Sequence, residues 1–307
     1  MSDCYDLIVI GGGPGGLAAA QKAAAKNKHV LIIEKDGWGG TCTHRGCIPT
    51  KALLSCSKFY TDLKKLKRVG VQIPDASFDF TAAKKHRDSI VKIAALGAEK
   101  LLTDARVEMK KGTGEILSPR EVRYADPSGH KEILCANHLL IAWGSRPQIL
   151  PGIQTSERIF TSDAILQISK LPASMIIVGA SFIGVEYATV FAELGVRVIL
   201  VELMDRILPL EDEEAADFLS SELGRLGVAI RTSCRVLSLR DSAGGVVLLA
   251  QKNGETMEMR AECALLCTGR QPVLHTAELD KLGVAYDRSG IKVDARMMTS
   301  VPGIYAA

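Results

Sequence analysis

The chain has 307 residues, of which 47% are hydrophobic and 24% charged, a composition typical of a globular protein with about two domains. Its net charge of +3 and aromatic content of 5% argue against nucleic acid or a membrane surface as its partner. The first residues, MSDCYDLIVI, lack the basic segment of a signal peptide, and no apolar run reaches the roughly 18 residues of a membrane span. We therefore expect a cytoplasmic protein.

The first predicted unit is a strand, a turn and a helix. An apolar run, YDLIVI, precedes the glycine-rich GGGPGG and an alanine-rich stretch, and a second strand ends in Glu34. Gly11, Gly13 and Gly16 form a GxGxxG pattern, in which small residues let the backbone and the helix N-terminus approach a pyrophosphate. Glu34 could accept hydrogen bonds from a ribose diol. Together these residues predict a dinucleotide site.

A close cysteine pair follows in GGTCTHRGCIPTK, where Cys42 and Cys47 are five residues apart. In a regular helix this spacing is a rise of about 7.5 Å, too long for a disulfide. A bridged pair would require a loop or a distorted first turn, with Gly46 supplying freedom. Cys47 would lie near the N-terminus of the next helix, where the helix dipole favours a thiolate, and Lys51 would follow one turn later on the same face.

The other scattered cysteines carry a different expectation. A cytoplasmic protein of this size needs no disulfide framework. We expect these residues to behave as small buried hydrophobic side chains, namely Cys4, Cys56, Cys135, Cys234 and Cys263.

The middle of the chain leads to a second copy of the first unit. A helix is predicted over 80–102, strands near 107, 122, 133 and 139–142, and a proline-rich linker over 147–151. The second strand–turn–helix unit contains Gly179, Ser181 and Gly184, with serine at the middle glycine position, and the next strand ends in Glu202. Glu202 follows Gly179 at the same interval at which Glu34 follows Gly11. Its carboxylate suits the free 2′-hydroxyl of NAD. Arg206, four residues further on, leaves NADP as an alternative cofactor, because an arginine can accommodate a 2′-phosphate.

These motifs resemble those of the flavoprotein disulfide reductases. GGGPGG resembles the FAD motif of that family, and GASFIGVEYA (179–188) its NAD(P) motif. AWGSRP (142–147) and CTGRQP (267–272) are similar to its two ATG-type segments, with Trp143 replacing the usual threonine. The resemblance implies an α/β fold of two Rossmann-like domains, with an FAD domain over 1–147, an inserted NAD domain over 148–270 and a return to the FAD domain over 271–307. The chain would then end before the C-terminal dimerisation domain of the family.

The resemblance also implies roles for single residues. Cys42 matches the thiol that exchanges with substrate, Cys47 the thiol that contacts the flavin, and Lys51 and Glu186 a charge pair beside the reactive flavin nitrogen. The residues to which it assigns contacts with FAD or NAD are Gly11, Gly13, Pro14, Gly16, Glu34, Lys35, Thr41, Lys51, Gly114, Ala142, Gly144, Ser145, Gly179, Ser181, Gly184, Glu202, Val236, Gly269 and Arg270. No resident metal is expected.

The reaction implied is the FAD-dependent oxidation of dihydrolipoyl groups, carried by an acyltransferase or carrier protein, with reduction of NAD⁺. The full-length protein would be a homodimer. This chain would be poorly active alone, because the general base of the family lies in the C-terminal domain. Two alternatives stay open: another NAD(P)H-dependent disulfide or mercuric-type reductase, and a non-catalytic NAD-binding fragment or redox sensor, which would contain no flavin.

Overall fold

A computed structural model describes residues 4–66, 69–73 and 76–307. The helices are α1 (Pro14–Ala24), α2 (Gly40–Arg45), α3 (Cys47–Leu66), α4 (Phe80–Asp104), α5 (Phe182–Glu193), α6 (Glu213–Arg225) and α7 (Thr276–Leu282). The strands are β1 (Tyr5–Ile10), β2 (Val30–Glu34), β3 (Glu108–Lys111), β4 (Thr113–Ser118), β5 (Glu121–Ala125), β6 (Lys131–Ile141), β7 (Ser145–Pro147), β8 (Ile159–Thr161), β9 (Ser174–Val178), β10 (Arg197–Val201), β11 (Ala229–Arg231), β12 (Arg235–Ser242), β13 (Gly245–Lys252), β14 (Glu255–Ala261), β15 (Cys263–Leu266), β16 (Arg270–Pro272), β17 (Tyr286–Asp287), β18 (Gly290–Ile291) and β19 (Ile304–Ala306).

The chain divides into two compact units. Unit 1 comprises the described residues of Met1–Ile48, Ile90–Arg146 and Gln271–Ala307, and unit 2 comprises those of Pro49–Ser89 and Pro147–Arg270. The segment that follows the cysteine pair therefore belongs to the same unit as the second glycine motif.

Unit 1 is built on a sheet with the strand order β3-β2-β1-β6-β5-β4, and β19 also pairs with β6. Strands β3, β2, β1 and β19 and the second half of β6 are parallel, whereas β4, β5 and the first half of β6 form an antiparallel meander. The central strands are apolar along their length because they are buried on both faces: Ile8, Val9, Leu31 and Ile32 have no exposed surface.

Unit 2 contains a five-stranded parallel sheet with the order β11-β10-β9-β15-β8. A separate antiparallel sheet, β12-β13-β14, forms part of a second core in this unit, in which Val246 and Leu248 pack with Ile176 of β9. Each unit thus places a turn and a helix after its first central strand, as the repeated pattern predicts. The α/β fold with two Rossmann-like units is confirmed.

The structure corrects the expectation for two of the cysteines. Cys4 and Cys135 form a disulfide, with their Cα atoms 4.8 Å apart, and the Cys4 residue is exposed. The cause is the sheet register: Tyr5 of β1 lies opposite Ala136 of β6, so the residues that precede them lie side by side. Cys56 is only half-buried, whereas Cys234 and Cys263 are buried as expected.

Within the described ranges, none of the helices is long and apolar enough to cross a membrane.

Candidate active site

The first glycine turn joins β1 to α1 and leaves no space for a side chain at Gly11 or Gly16. Gly11 has φ +120°, and a Cβ there would lie 2.0 Å from the carbonyl oxygen of Ala142, which follows β6. A Cβ on Gly16 would lie 1.9 Å from the carbonyl oxygen of Gly11, so helix α1 rests directly on the turn. Pro14 is the first residue of the helix, where its missing N–H costs nothing.

Glu34 connects the end of β2 to this turn. Its side chain is buried, and one carboxylate oxygen accepts a hydrogen bond from the backbone N–H of Gly12 at 2.6 Å. The other oxygen accepts from the N–H of Asp36 at 2.6 Å. The carboxylate is therefore held by backbone donors at the carboxyl ends of the parallel strands, where the α/β folds bind nucleotides.

The second glycine turn repeats these contacts in unit 2. Gly179 has φ +98°, and its Cβ would lie 2.3 Å from the carbonyl oxygen of Cys267, while a Cβ on Gly184 would lie 1.9 Å from the carbonyl oxygen of Gly179. The buried Glu202 accepts hydrogen bonds from the N–H of Ala180 at 2.6 Å and from the N–H of Met204 at 2.9 Å. The two turns thus share both their spacing and their hydrogen bonds.

The serine in the second motif occupies a position that does not require glycine. Ser181 has φ −75° and ψ −178°, and its counterpart Gly13 has φ −77° and ψ −178°. Extended backbone of this kind suits any residue. A Cβ placed on Gly13 would meet no atom within 4 Å. The replacement of the middle glycine by serine therefore leaves the turn unchanged.

The cysteine pair lies on two helices separated by a break. Cys42 lies within α2, which ends at Arg45, and α3 begins at Cys47. The break is at Gly46, which has φ −130° and ψ −112°. The expected loop or distorted turn is therefore a short helix, a glycine break and a second helix. Cys47 does occupy the N-terminus of α3, as the sequence predicts.

Cys42 is half-buried and Cys47 is exposed, and neither takes part in a disulfide in the described part of the chain. Their oxidation to a disulfide stays a prediction. Thr41 is half-buried beside them in α2. His44 of the same helix is half-buried, and its Nε2 lies 3.0 Å from the carbonyl oxygen of Trp38.

Lys51 and Glu186 form an ion pair between α3 and α5, although 135 residues separate them in sequence. Lys51 follows Cys47 by one helical turn, and Glu186 lies one turn into the helix that follows the second glycine motif. The side chain of Glu186 is only 24% exposed, so the carboxylate of the pair is partly shielded from water. Helix α3 is thereby joined to α5, the helix that follows the second glycine turn.

The remaining predicted cofactor residues differ in their exposure and backbone conformation. In unit 1, Ala142 is buried, Gly144 and Lys35 are exposed, Ser145 is half-buried, and Gly114 faces Ile33 and Val122, whose carbons a Cβ would meet at 3.2 Å. In unit 2, Gly269 has φ +97° and Val236 is a half-buried residue of β12.

Two contacts explain how the ATG-type segments are held. Trp143 packs edge-on against the ring of His275 with centroids 4.5 Å apart, so unit 1 accommodates the unusual indole. Burial lowers the pKa of His275, and nearby Lys35 adds to this shift. Arg270 forms an ion pair with Asp163 at 2.8 Å. Asp163 was not found from the sequence, because no motif surrounds it.

Two Rossmann-like units, each with a glycine turn and a buried strand-end glutamate, and a cysteine pair whose second member begins α3 match the features of dinucleotide-dependent disulfide oxidoreductases. The family of pyridine nucleotide-disulphide oxidoreductases matches residues 5–307. The chain belongs to this family.

Relatives of known name agree with this assignment. A dihydrolipoyl dehydrogenase of Bacillus subtilis is 36% identical to this chain; the match covers 98% of this chain and 66% of that protein. A mitochondrial dihydrolipoyl dehydrogenase of Arabidopsis thaliana is 35% identical, and the match covers 99% of this chain and 61% of that protein. The crystal structure of LpdA from Mycobacterium tuberculosis matches 98% of this chain and 66% of that one, with a TM-score of 0.89 and 27% identity. Another similar structure is the Cu(II) complex of the HOCl-induced flavoprotein disulfide reductase RclA of Escherichia coli. It matches 99% of this chain and 65% of that one, with a TM-score of 0.83 and 27% identity. The chain spans about two thirds of the length of these relatives.

Proposed function

We propose that this protein is an FAD-dependent, NAD-linked disulfide oxidoreductase that oxidises dihydrolipoyl groups. The observation that carries the proposal is the ion pair between Lys51 of α3 and Glu186 of α5. Helix α3 begins at Cys47, and its Lys51 pairs with Glu186 on α5, which begins at the second glycine turn. A dinucleotide-binding fragment alone would need neither the cysteines nor this ion pair.

The residues of unit 1 fit FAD. The space around the Cβ position of Gly13 is open, the N-terminus of α1 points its N–H groups there, and Glu34 lies at the adjacent strand end. The corresponding residues of unit 2, Ser181 and Glu202, fit NAD. Glu202 favours NAD over NADP because its carboxylate would repel a 2′-phosphate.

The proposed reaction converts a dihydrolipoyl dithiol and NAD⁺ to the lipoyl disulfide, NADH and a proton. A substrate thiolate attacks the sulfur of Cys42, the Cys42–Cys47 bond breaks, and the second substrate sulfur displaces Cys42 to close the lipoyl disulfide. Cys47 leaves as a thiolate, which the N-terminus of α3 stabilises. FAD, when bound, supplies the ring chemistry that carries the electron pair to NAD⁺. Lys51 provides a positive charge held in place by Glu186.

The names of the Bacillus and Arabidopsis relatives support the dihydrolipoyl substrate. We further propose that the substrate group is carried by an acyltransferase or carrier protein, that the enzyme functions as a homodimer, and that it is cytoplasmic. A second candidate is a reductase of metal ions or other disulfides, which the Cu(II) complex of the Escherichia coli relative favours.

The test measures flavin content, NADH formation from dihydrolipoamide and NAD⁺, and Cu(II) reduction by NADH in the purified protein. Cys42→Ser and Cys47→Ser should abolish dihydrolipoamide turnover, and Cys56→Ser is the matched control because that residue is a half-buried thiol further along α3. Thiol labelling of the air-oxidised protein should spare Cys42 and Cys47 until mild reduction. A colourless protein, or full labelling of both thiols without reduction, would contradict the proposal.

A further inference from the structure

Helices α3 and α5 are joined by polar contacts at two levels, of which the family resemblance accounts only for the first. At the first level, Lys51 pairs with Glu186. Beside it, the hydroxyl groups of the buried Thr50 and Tyr187 are hydrogen-bonded to each other, and burial raises the pKa of Tyr187 far above its ordinary value. This level lies close to the N-termini of both helices.

The second level is the contact between Ser57 and Glu193. Ser57 has no exposed surface, and its hydroxyl donates a hydrogen bond to the Glu193 carboxylate at 2.5 Å. The carbonyl oxygen of Leu54 lies 3.1 Å from the same hydroxyl, but a hydroxyl has one proton and the carboxylate is the stronger acceptor. Glu193 is the last residue of α5.

The two levels are similarly spaced on the two helices. Ser57 follows Lys51 by six residues and Glu193 follows Glu186 by seven, so the levels lie nearly two turns, or about 9–10.5 Å, apart on each helix. Between them the helices contribute Leu53 and Val190 to one apolar core. The helices therefore run in the same direction, with polar contacts at both ends of a shared apolar strip.

A buried hydroxyl is stable only when it is hydrogen-bonded. The Ser57 proton has a directional partner on one atom of α5, whereas the apolar contacts between the levels permit small sliding or rotation. The second level therefore fixes the register of α3 against α5, and this register determines whether Lys51 meets Glu186.

We infer that Ser57 and Glu193 are a positioning pair that holds Lys51 against Glu186. The inference rests on the proposed function for its catalytic meaning, because Lys51 lies one turn after the proposed flavin-contacting thiol. Ser57 and Glu193 act only through α3 and α5 and touch no reacting atom.

The test compares Ser57→Ala with Ser55→Ala, which is the same chemical change at an exposed position of the same helix. The side chains of Lys51 and Lys58 are 58% and 68% exposed, so a small acylating reagent reaches both. Lys58 pairs with Asp62 within α3 and is the internal control. We measure the acylation rates of both amines by peptide mapping of the folded protein under competitive, trace-labelling conditions.

We expect Ser57→Ala to raise the acylation rate of Lys51 at least threefold while that of Lys58 stays within a factor of 1.5, as rough thresholds for a broken against an unbroken ion pair. Ser55→Ala should change neither rate. An equal rise at both lysines would indicate general loosening of α3, and no rise would show that the register does not depend on Ser57; either result overturns the inference. Glu193→Ala should reproduce the effect at Lys51, and Glu193→Gln, which keeps an acceptor oxygen, should restore its slow rate. For these two variants the internal control is Lys100, which pairs with Asp104 in α4, because the Glu193 charge also acts on Lys58. These two variants decide the question if Ser57→Ala does not fold.

The acylation rates require neither flavin nor substrate. If the proposed function fails but Lys51 alone becomes reactive, the positioning role stands without its catalytic meaning. If the function holds, Ser57→Ala should also lower kcat for dihydrolipoamide oxidation by about tenfold with little change in KM for NAD⁺, as expected for a misplaced charge rather than a lost binding contact.

Discussion

The carboxylate of Glu202 is bound to the backbone N–H of Ala180 at 2.6 Å, as that of Glu34 is bound to the N–H of Gly12 at 2.6 Å. Each glutamate thus closes its own glycine turn from the end of the neighbouring strand. Under the proposed function it would also present a negative charge to the ribose of a dinucleotide. The same residue would then influence both the shape of the turn and the choice of cofactor.

We predict that Glu202→Ala weakens NAD⁺ binding by about 10- to 100-fold, the equivalent of losing one or two hydrogen bonds to a charged group. NADP⁺ binding should weaken less, because the repulsion of its 2′-phosphate is relieved, so the preference for NAD narrows. Calorimetric titration with both cofactors measures this. Asp205→Ala is the control, since it removes an exposed acid three residues further on. Tighter binding of NADP⁺ than NAD⁺ to the unaltered protein would disprove the assignment.

Gly184→Ala should disrupt the second glycine turn. A Cβ at this position would lie 1.9 Å from the carbonyl oxygen of Gly179, so helix α5 must shift, at a cost of about 1–3 kcal/mol. Both the free energy of unfolding and NAD⁺ affinity should fall. Gly224→Ala in α6, where a Cβ meets no atom within 4 Å, should be neutral or stabilising. Equal behaviour of the two variants would show that the close approach is not needed.

The Cys4–Cys135 disulfide should contribute about 2–5 kcal/mol to the stability of unit 1, because it closes a long segment with a sequence separation of 131. Denaturant unfolding of Cys135→Ser, with and without a reducing agent, measures this contribution. The reducing agent should destabilise the unaltered protein but not the variant. Cys56→Ser, which lies outside this disulfide, should still respond to the reducing agent. Recovery of both residues as thiols by peptide mapping of the oxidised protein would refute the pairing.

Glu278 should make stability depend on pH. Burial raises the pKa of its carboxyl group, although the N–H of Ile116 donates to it at 2.6 Å. Because the folded state binds this proton more tightly than the unfolded state, the contribution of Glu278 to the free energy of unfolding is largest at acid pH. This contribution is lost as the pH rises through the folded-state pKa. Glu278→Gln keeps the acceptor without the charge. It should therefore be more stable than the unaltered protein at pH 8, by about 1 kcal/mol or less because the group is half-solvated.

At pH 4 the Glu278→Gln protein and the unaltered protein should have nearly the same free energy of unfolding. Glu255→Gln, at an exposed position in β14, is the matched control and should show no gain at pH 8. A gain that is the same at both pH values would exclude titration of Glu278 as its cause.

The sequence by itself determined the features that depend on residues close together in the chain. The spacing from Gly11 to Glu34 and from Gly179 to Glu202 predicted both glycine turns, and α4 begins at Phe80 as its pattern predicts. Cys47 was placed near a helix N-terminus because Pro49 suits the first turn of a helix. Turns, helix starts and strand ends are set by backbone conformation within a few residues, so their signals are local.

The tertiary structure decided which distant side chains meet. The Cys4–Cys135 bond depends on the register of β1 against β6, and the Ser57–Glu193 hydrogen bond depends on the packing of α3 against α5. The Lys51–Glu186 pair was expected only from the family resemblance. None of these contacts leaves a periodic signal, because each joins two single residues more than 100 positions apart. Such pairings are fixed by the register of strands and helices, which forms only when whole apolar faces are buried together.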